Sequence, residues 1–191
     1  KAFTNLSAVE FEDMATVQDV ATAAQKCEFV LRIANEVDRY IYELGNEGRL
    51  VSMQLEELIV GVKEEEMLLI RDYMPQEEGK SCKDVIKQLR NLTFDELLEL
   101  STIAKLIGLG SSLGTLDVPL FPRGYRMMSK VPRLPMSIIE NLVQKFEKFQ
   151  NILGASIEQL DDVEGIGEVR AKNIKESLKK IYEQIHTERL I

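Results

Sequence analysis

Tryptophan is absent from these 191 residues, histidine occurs once, at His186, and cysteine twice. Cys27 and Cys82 stand far apart in no metal or redox spacing, so neither a disulfide framework nor a Cys/His zinc site organises the chain. Cys27 falls on an apolar helical stripe and is expected as a buried free thiol. With no signal peptide in view, a cytoplasmic, nucleoid-associated protein is expected. No apolar run approaches the roughly 18 residues of a membrane span. Aromatics make up only 6% of the chain, while Leu, Ile, Val, Glu and Lys dominate. That balance suits helices better than sheets. The expected fold class is all-α. Lys1 sits in what reads as mid-helix without an initiator Met, so a piece of something longer is expected.

Positive charge is also short overall, since the formal net charge is −8. Its distribution is uneven. Residues 1–120 hold 12 Lys and Arg against 22 Asp and Glu, whereas residues 121–191 hold 12 against 10. Between Phe121 and Pro135 stand Arg123, Arg126, Lys130 and Arg133 with no acid among them. Local charge decides where a polyanion docks, so the acidic total does not exclude nucleic acid.

In the first part, residues 1–14 read as the tail of a helix, and Thr16 with Asp19 as the start of the next. From there Val20, Cys27, Ala34 and Ile41 recur every seven residues, and Ala23, Val30, Val37 and Leu44 form the complementary set. This seam is packed either by later helices of the same chain or by another subunit. Gly45-Asn-Glu-Gly48 supplies a short connection to a second helix, Arg49 to Met74, so the two must run antiparallel. On that helix Val51, Leu55, Leu58, Val62 and Leu69 share one side, and Glu64-Glu65-Glu66 is expected as a solvated face. Pro75 to Lys80 is a break. Ser81 caps a shorter helix, and Thr93-Phe-Asp-Glu96 is a capping box for a helix through Leu106. The breaker-rich stretch from Gly108 to Pro122 is the expected boundary between a helical spine or linker, residues 1–120, and a second domain, residues 121–191.

The most informative stretch is Leu160-Asp-Asp-Val163-Glu-Gly165-Ile166-Gly167-Glu-Val-Arg170-Ala171-Lys-Asn-Ile174. Two glycines flank an aliphatic residue, an alanine follows four residues on, and aliphatics flank the turn. Gly-hydrophobe-Gly between short helices is the pattern of a helix-hairpin-helix. The helix beginning near Glu168 offers unpaired N–H groups and the positive end of its dipole, which together suit a phosphate. The bland alternative is an ordinary αα-turn. Val131-Pro-Arg133-Leu-Pro135-Met-Ser-Ile-Ile139 lays over Val163 to Ala171 without a gap, with Arg133 and Pro135 where the later copy has glycines. Residues 131–185 therefore read as a tandem helix-hairpin-helix with a degenerate first hairpin.

With those residues in hand the chain resembles the DNA-integrity-scanning diadenylate cyclase (DisA) family. The likeness rests on Gly124-Tyr-Arg-Met-Met-Ser-Lys-Val-Pro-Arg-Leu-Pro135, Ile138-Ile-Glu-Asn-Leu142 and Val163 to Ala171, and in the first part on Glu10-Phe-Glu12, Leu31-Arg-Ile-Ala34, Tyr42-Glu-Leu-Gly45 and Gly48-Arg-Leu50. It implies a bacterial protein with a cyclase domain, a helical spine and a C-terminal helix-hairpin-helix domain. The family's enzyme joins two ATP into cyclic di-AMP with a divalent metal, and its octamer binds branched DNA. The family's Asp-Gly-Ala and Arg-His-Arg motifs do not occur here, since His186 stands in Ile-His-Thr. No catalytic residue is assigned to this chain, and ATP and metal are expected only for the missing cyclase part.

The expected DNA contacts are Gly165, Ile166 and Gly167 with the amides of Glu168 and Val169, joined by Arg170 and Lys172. Lys130, Arg133 and Arg126 follow from the acid-free strip. Such groups hold backbone without reading bases. Glu164 and Glu168 would repel phosphate unless they point away. The alternative function is a protein-interaction or assembly module with a degenerate hairpin. A glycosylase of helix-hairpin-helix type is disfavoured, because no Asp, Gly or Pro follows Gly167.

Overall fold

The computed structural model describes residues 2–43, 45–76, 79–110 and 113–189. Expectations that fall on Lys1, Leu44, Glu77, Glu78, Ser111 and Ser112 lie outside them. The fold is all-α, and among the described residues no strand forms beyond an isolated bridge between Thr16 and Pro119. In chain order the helices are α1 (Ala2–Phe11), α2 (Val17–Glu43), α3 (Arg49–Tyr73), α4 (Cys82–Asn91), α5 (Phe94–Leu98), α6 (Leu100–Ile107), α7 (Tyr125–Met128), α8 (Met136–Phe146), α9 (Phe149–Gly154), α10 (Ile157–Asp161) and α11 (Glu168–Arg189).

Side-chain oxygens set several of the starts. Thr16 and Asp19 exchange bonds ahead of α2, and Ser81 with Asp84, Thr93 with Glu96 and Ser156 with Gln159 do the same for α4, α5 and α10. Each pair satisfies two backbone donors that a helix N-terminus leaves open. The helix expected from Thr93 to Leu106 is instead two, because Glu99 takes an extended conformation between α5 and α6.

α2 and α3 form the antiparallel hairpin, and the seam is only half covered. Val20, Cys27, Ala34 and Ile41 are buried along with Ala23, but Val30 and Val37 are each 37% exposed. On α3 burial begins only at Glu66. Leu55 and Val62 are half-buried, while Val51 and Leu58 face solvent. The proximal half of the hairpin therefore sits in the core, and the distal half stands away from it. The acidic run departs from expectation as well: Glu66 is fully buried beside Arg90, and only Glu64 is fully solvated.

Two apolar cores follow the chain. The first gathers α1 to α6 around Val20, Leu69, Ile70, Leu89 and Ile103. The second gathers α7 to α11 around Met128, Leu142, Phe149, Leu160 and Ile174, and takes in Phe11 of α1 and Leu68 of α3. Phe11 meets Phe149 and Tyr182 edge-on, with centroids 5.2 and 5.5 Å apart. Polar bonds fasten the same joint. Asp72 accepts from the backbone N–H groups of Gly124 (2.8 Å), Tyr125 (2.6 Å) and Arg126 (3.0 Å), which satisfies the start of α7 from the end of α3. Arg123 Nη1 donates to the carbonyls of Arg71 and Met74, at 2.9 and 2.8 Å, where α3 ends.

Candidate nucleic-acid interface

The second core is built on a local repeat with an offset of 32 residues, from Arg133 to Gly165. α7 and α10 begin at the same place in each copy, as do α8 and α11. The turn bonds repeat too. Met128 N–H donates to Gly124 as Leu160 does to Ser156, Val131 to Met128 as Val163 to Leu160, and Ile139 to Pro135 as Ala171 to Gly167. Met128, Val131, Ile139 and Leu142 are buried, and so are their counterparts Leu160, Val163, Ala171 and Ile174. Hydrophobic positions recurring at one interval have produced the same helix–turn–helix twice.

In the second turn Gly165 has φ +82°, and a Cβ there would run into Ile138 Cδ1 on α8. Both facts call for glycine. Arg133 takes the same place in the first turn at φ 59°, a left-handed conformation that costs a side-chain-bearing residue something. The copies pack reciprocally. The second turn lies on α8, where Asn141 Nδ2 donates to the Glu164 carbonyl at 3.0 Å. The first turn faces the start of α11 across a groove.

Ile166 is buried as the hinge of the second turn, whereas Gly165, Gly167, Glu168 and Val169 are exposed. Among the described residues no carbonyl or side chain accepts from the amides of Gly167, Glu168 and Val169. These donors stand at the positive end of a 22-residue helix. Arg170 reaches back to the Gly165 carbonyl, which holds its guanidinium over the turn. Lys172 binds Glu168 at 2.6 Å. That bond raises the lysine's pKa and neutralises one of the two carboxylates flanking the glycines.

The structure thus brings Gly165, Gly167, Glu168, Val169, Arg170 and Arg133 to one exposed region and leaves other expected residues elsewhere. Arg126 is a correction: it is 0% exposed and paired with Glu10, so it has no surface to offer a phosphate. Lys130 is exposed but lines a cleft along α3 with Glu64 and Glu65, away from the turn groove. Lys175 of α11 donates to the Leu153 carbonyl at 2.6 Å. Pro132, Leu134 and Asn173 line the groove between the turns and were not singled out by sequence. The offset of 32, which pairs the first turn with the second, is the signal that could have found the turn residues among them. Among the described residues no three His, Cys, Asp or Glu are grouped to hold a metal, and no helix among them is long and apolar enough to cross a membrane.

Comparison with known proteins gives the family. Residues 1–116 match the family model described as the DisA bacterial checkpoint controller linker region. Over 184 residues the chain is 52% identical to the DNA integrity scanning protein DisA of Carboxydothermus hydrogenoformans, covering 96% of this chain and 52% of that protein. The protein of the same name from Symbiobacterium thermophilum is 49% identical over 99% of this chain and 53% of its own length. That of Clostridioides difficile is 48% identical over 100% and 53%. The chain spans about half the length of the curated relatives it matches.

Proposed function

The chain belongs to the DisA family, and from that premise we propose that this portion is a non-catalytic module that grips the DNA backbone without reading sequence. The observation that carries the reading is the exposed turn at Gly165–Gly167. Its free amides at a helix N-terminus, with Arg170 and Arg133 beside them, suit phosphate oxygens. The name shared by the relatives, DNA integrity scanning protein, supports a DNA partner, and branched or junction DNA is the substrate proposed. Cyclic di-AMP synthesis, with its ATP and divalent metal, is assigned to the part of the longer relatives that this chain does not match.

The test is a fluorescence-anisotropy titration with a four-way junction and a linear duplex at two salt concentrations. Two hairpins touching one or two phosphates each give a slope of log affinity against log salt of about −2 to −4. A Cβ at Gly167 meets nothing closer than Asp161 Oδ1 at 4.0 Å, so Gly167→Asp keeps the fold while adding a carboxylate among the amides. Affinity should drop at least about tenfold. Binding indifferent to salt, or unchanged by Gly167→Asp, removes the proposal.

A second reading concerns assembly, and a separate surface favours it. The distal half of the α2–α3 hairpin leaves Ile33, Tyr40, Leu50 and Met53 between 61% and 68% exposed. An apolar patch of this kind marks a contact surface, here with other subunits. Sedimentation of Ile33→Glu with Met53→Glu against the parent chain tests it: an unchanged oligomeric state rejects the surface.

A further inference from the structure

The groove between the two turns has a volume of about 350 Å³, within the lower range of small-molecule sites, roughly 300–1,000 Å³. Pro132, Arg133 and Leu134 form one wall, and Val169, Arg170 and Asn173 the other. Its composition sets it apart from the clefts along α3, where carboxylates are always present: Glu140 and Glu147 beside Arg71 and Arg123, Glu64 and Glu65 beside Lys63, Arg71 and Lys130, and Glu57 with Glu65. Those carboxylates offset the cations that a polyanion would need. The turn groove presents two guanidiniums and no carboxylate. At its rim Val169 is 83% exposed, the least covered of the large apolar residues among those described apart from Tyr42.

Resting on the DNA-binding reading above, we propose that this groove receives one unstacked nucleobase, with Val169, Pro132 and Leu134 against its face and Asn173 at its edge. The chemistry matches group by group. A base has a flat face that prefers cover from water and an edge of mixed donors and acceptors, and a carboxamide offers both kinds. The phosphates on either side of such a base fall to Arg133, Arg170 and the free amides of the second turn. A base inside an intact duplex cannot enter, because it must first leave its stack and its partner, and that cost is smallest where the pair is already broken. The groove would therefore favour interrupted duplexes at the level of a single nucleotide, independent of how many phosphates the hairpins hold.

The test uses this chain and three duplexes of equal length: fully paired, with one unpaired adenine, and with an abasic residue in place of that adenine. The last two share a backbone interruption and differ only in the base. Expected is about tenfold tighter binding of the unpaired-adenine duplex than of either other. In Val169→Ser and in Asn173→Ala that ratio falls below about threefold, while losses common to all three duplexes cancel in it. A 2-aminopurine at the unpaired position should change its fluorescence on binding only in the parent chain. The proposal is overturned if the abasic duplex binds as tightly as the unpaired-adenine one, or if the ratio survives either substitution. If none of the three binds in a salt-dependent way, the DNA reading itself has failed, which is a different result.

Discussion

Arg126, two residues into the second half of the fold, is paired inside the molecule with Glu10 of α1, 116 positions earlier. Its other terminal nitrogen donates to Ser7 Oγ at 3.0 Å and lies 3.6 Å from Glu65 Oε2. Tyr73 Oη donates to the second oxygen of Glu10 at 2.6 Å. One cluster of buried charge thus ties α1 and α3 to α7, the opening helix of the first hairpin, inside the molecule and away from its surface.

Removing one member of such a pair leaves the other charged and without a partner, at a cost of about 3–5 kcal/mol. Arg126→Ala should therefore lower stability by that order in urea unfolding. A variant as stable as the parent would show that the ion pair does not hold the joint.

Glu28 and Glu66 are a buried pair of acids, held by Arg90 at 3.6 and 3.2 Å. One oxygen of each lacks a hydrogen-bond partner among the described residues. Burial, then the hydrogen bond and charge of Glu28, push Glu66 up to about 8 from an ordinary value of 4.5. The native state therefore keeps a proton that the unfolded chain gives up, so stability falls as pH rises between these values. Asp72, pushed up to about 7 by burial and by Glu10, acts in the same sense over a lower range. Glu10, raised by burial against the pull of Arg126, acts in the same sense, so the decline is shared among the three. Melting temperatures across pH 5–8.5 should decline for the parent chain, and Glu66→Gln should flatten the upper part of the curve. A parent curve that rises from pH 7 to 8 contradicts the raised pKa of Glu66.

These two clusters also mark where sequence reading stops. Thr16, Ser81 and Thr93 were legible as helix starts, because a cap and its partner lie three residues apart. The repeat was legible because like residues recur at one interval. Arg126 and Glu66 were misread for the opposite reason. A basic strip and an acidic run look solvated until the chain brings Glu10 to one and Arg90 with Glu28 to the other, from far along the sequence. The seam on α2 fails differently: periodicity names the face, but nothing local says that the cover on Val30 and Val37 runs out.

Arg133 separates conformation from charge. Its φ of 59° is one that glycine adopts freely. Arg133→Gly should raise stability or leave it unchanged within about 1 kcal/mol. The same change should weaken DNA binding and make the salt slope shallower by about one phosphate. Stability and affinity moving in opposite directions is the expected outcome of paired melting and anisotropy measurements. An unaltered slope would place Arg133 outside the contact.

Gly165 and Gly167 stand two residues apart, yet their substitution should not be equivalent. Alanine at Gly165 meets two obstacles, a φ of +82° and the Cδ1 atom of Ile138, whereas alanine at Gly167 meets neither. Gly165→Ala should cost about 1–2 kcal/mol from the backbone conformation alone, plus whatever moving Ile138 demands. Ile138→Val removes the obstructing methyl, so the double variant should recover the second part of the loss and not the first. Gly167→Ala should melt close to the parent. If the double variant is no better than Gly165→Ala, the close approach of α8 to the turn is not what requires glycine there, and the left-handed backbone carries the requirement by itself.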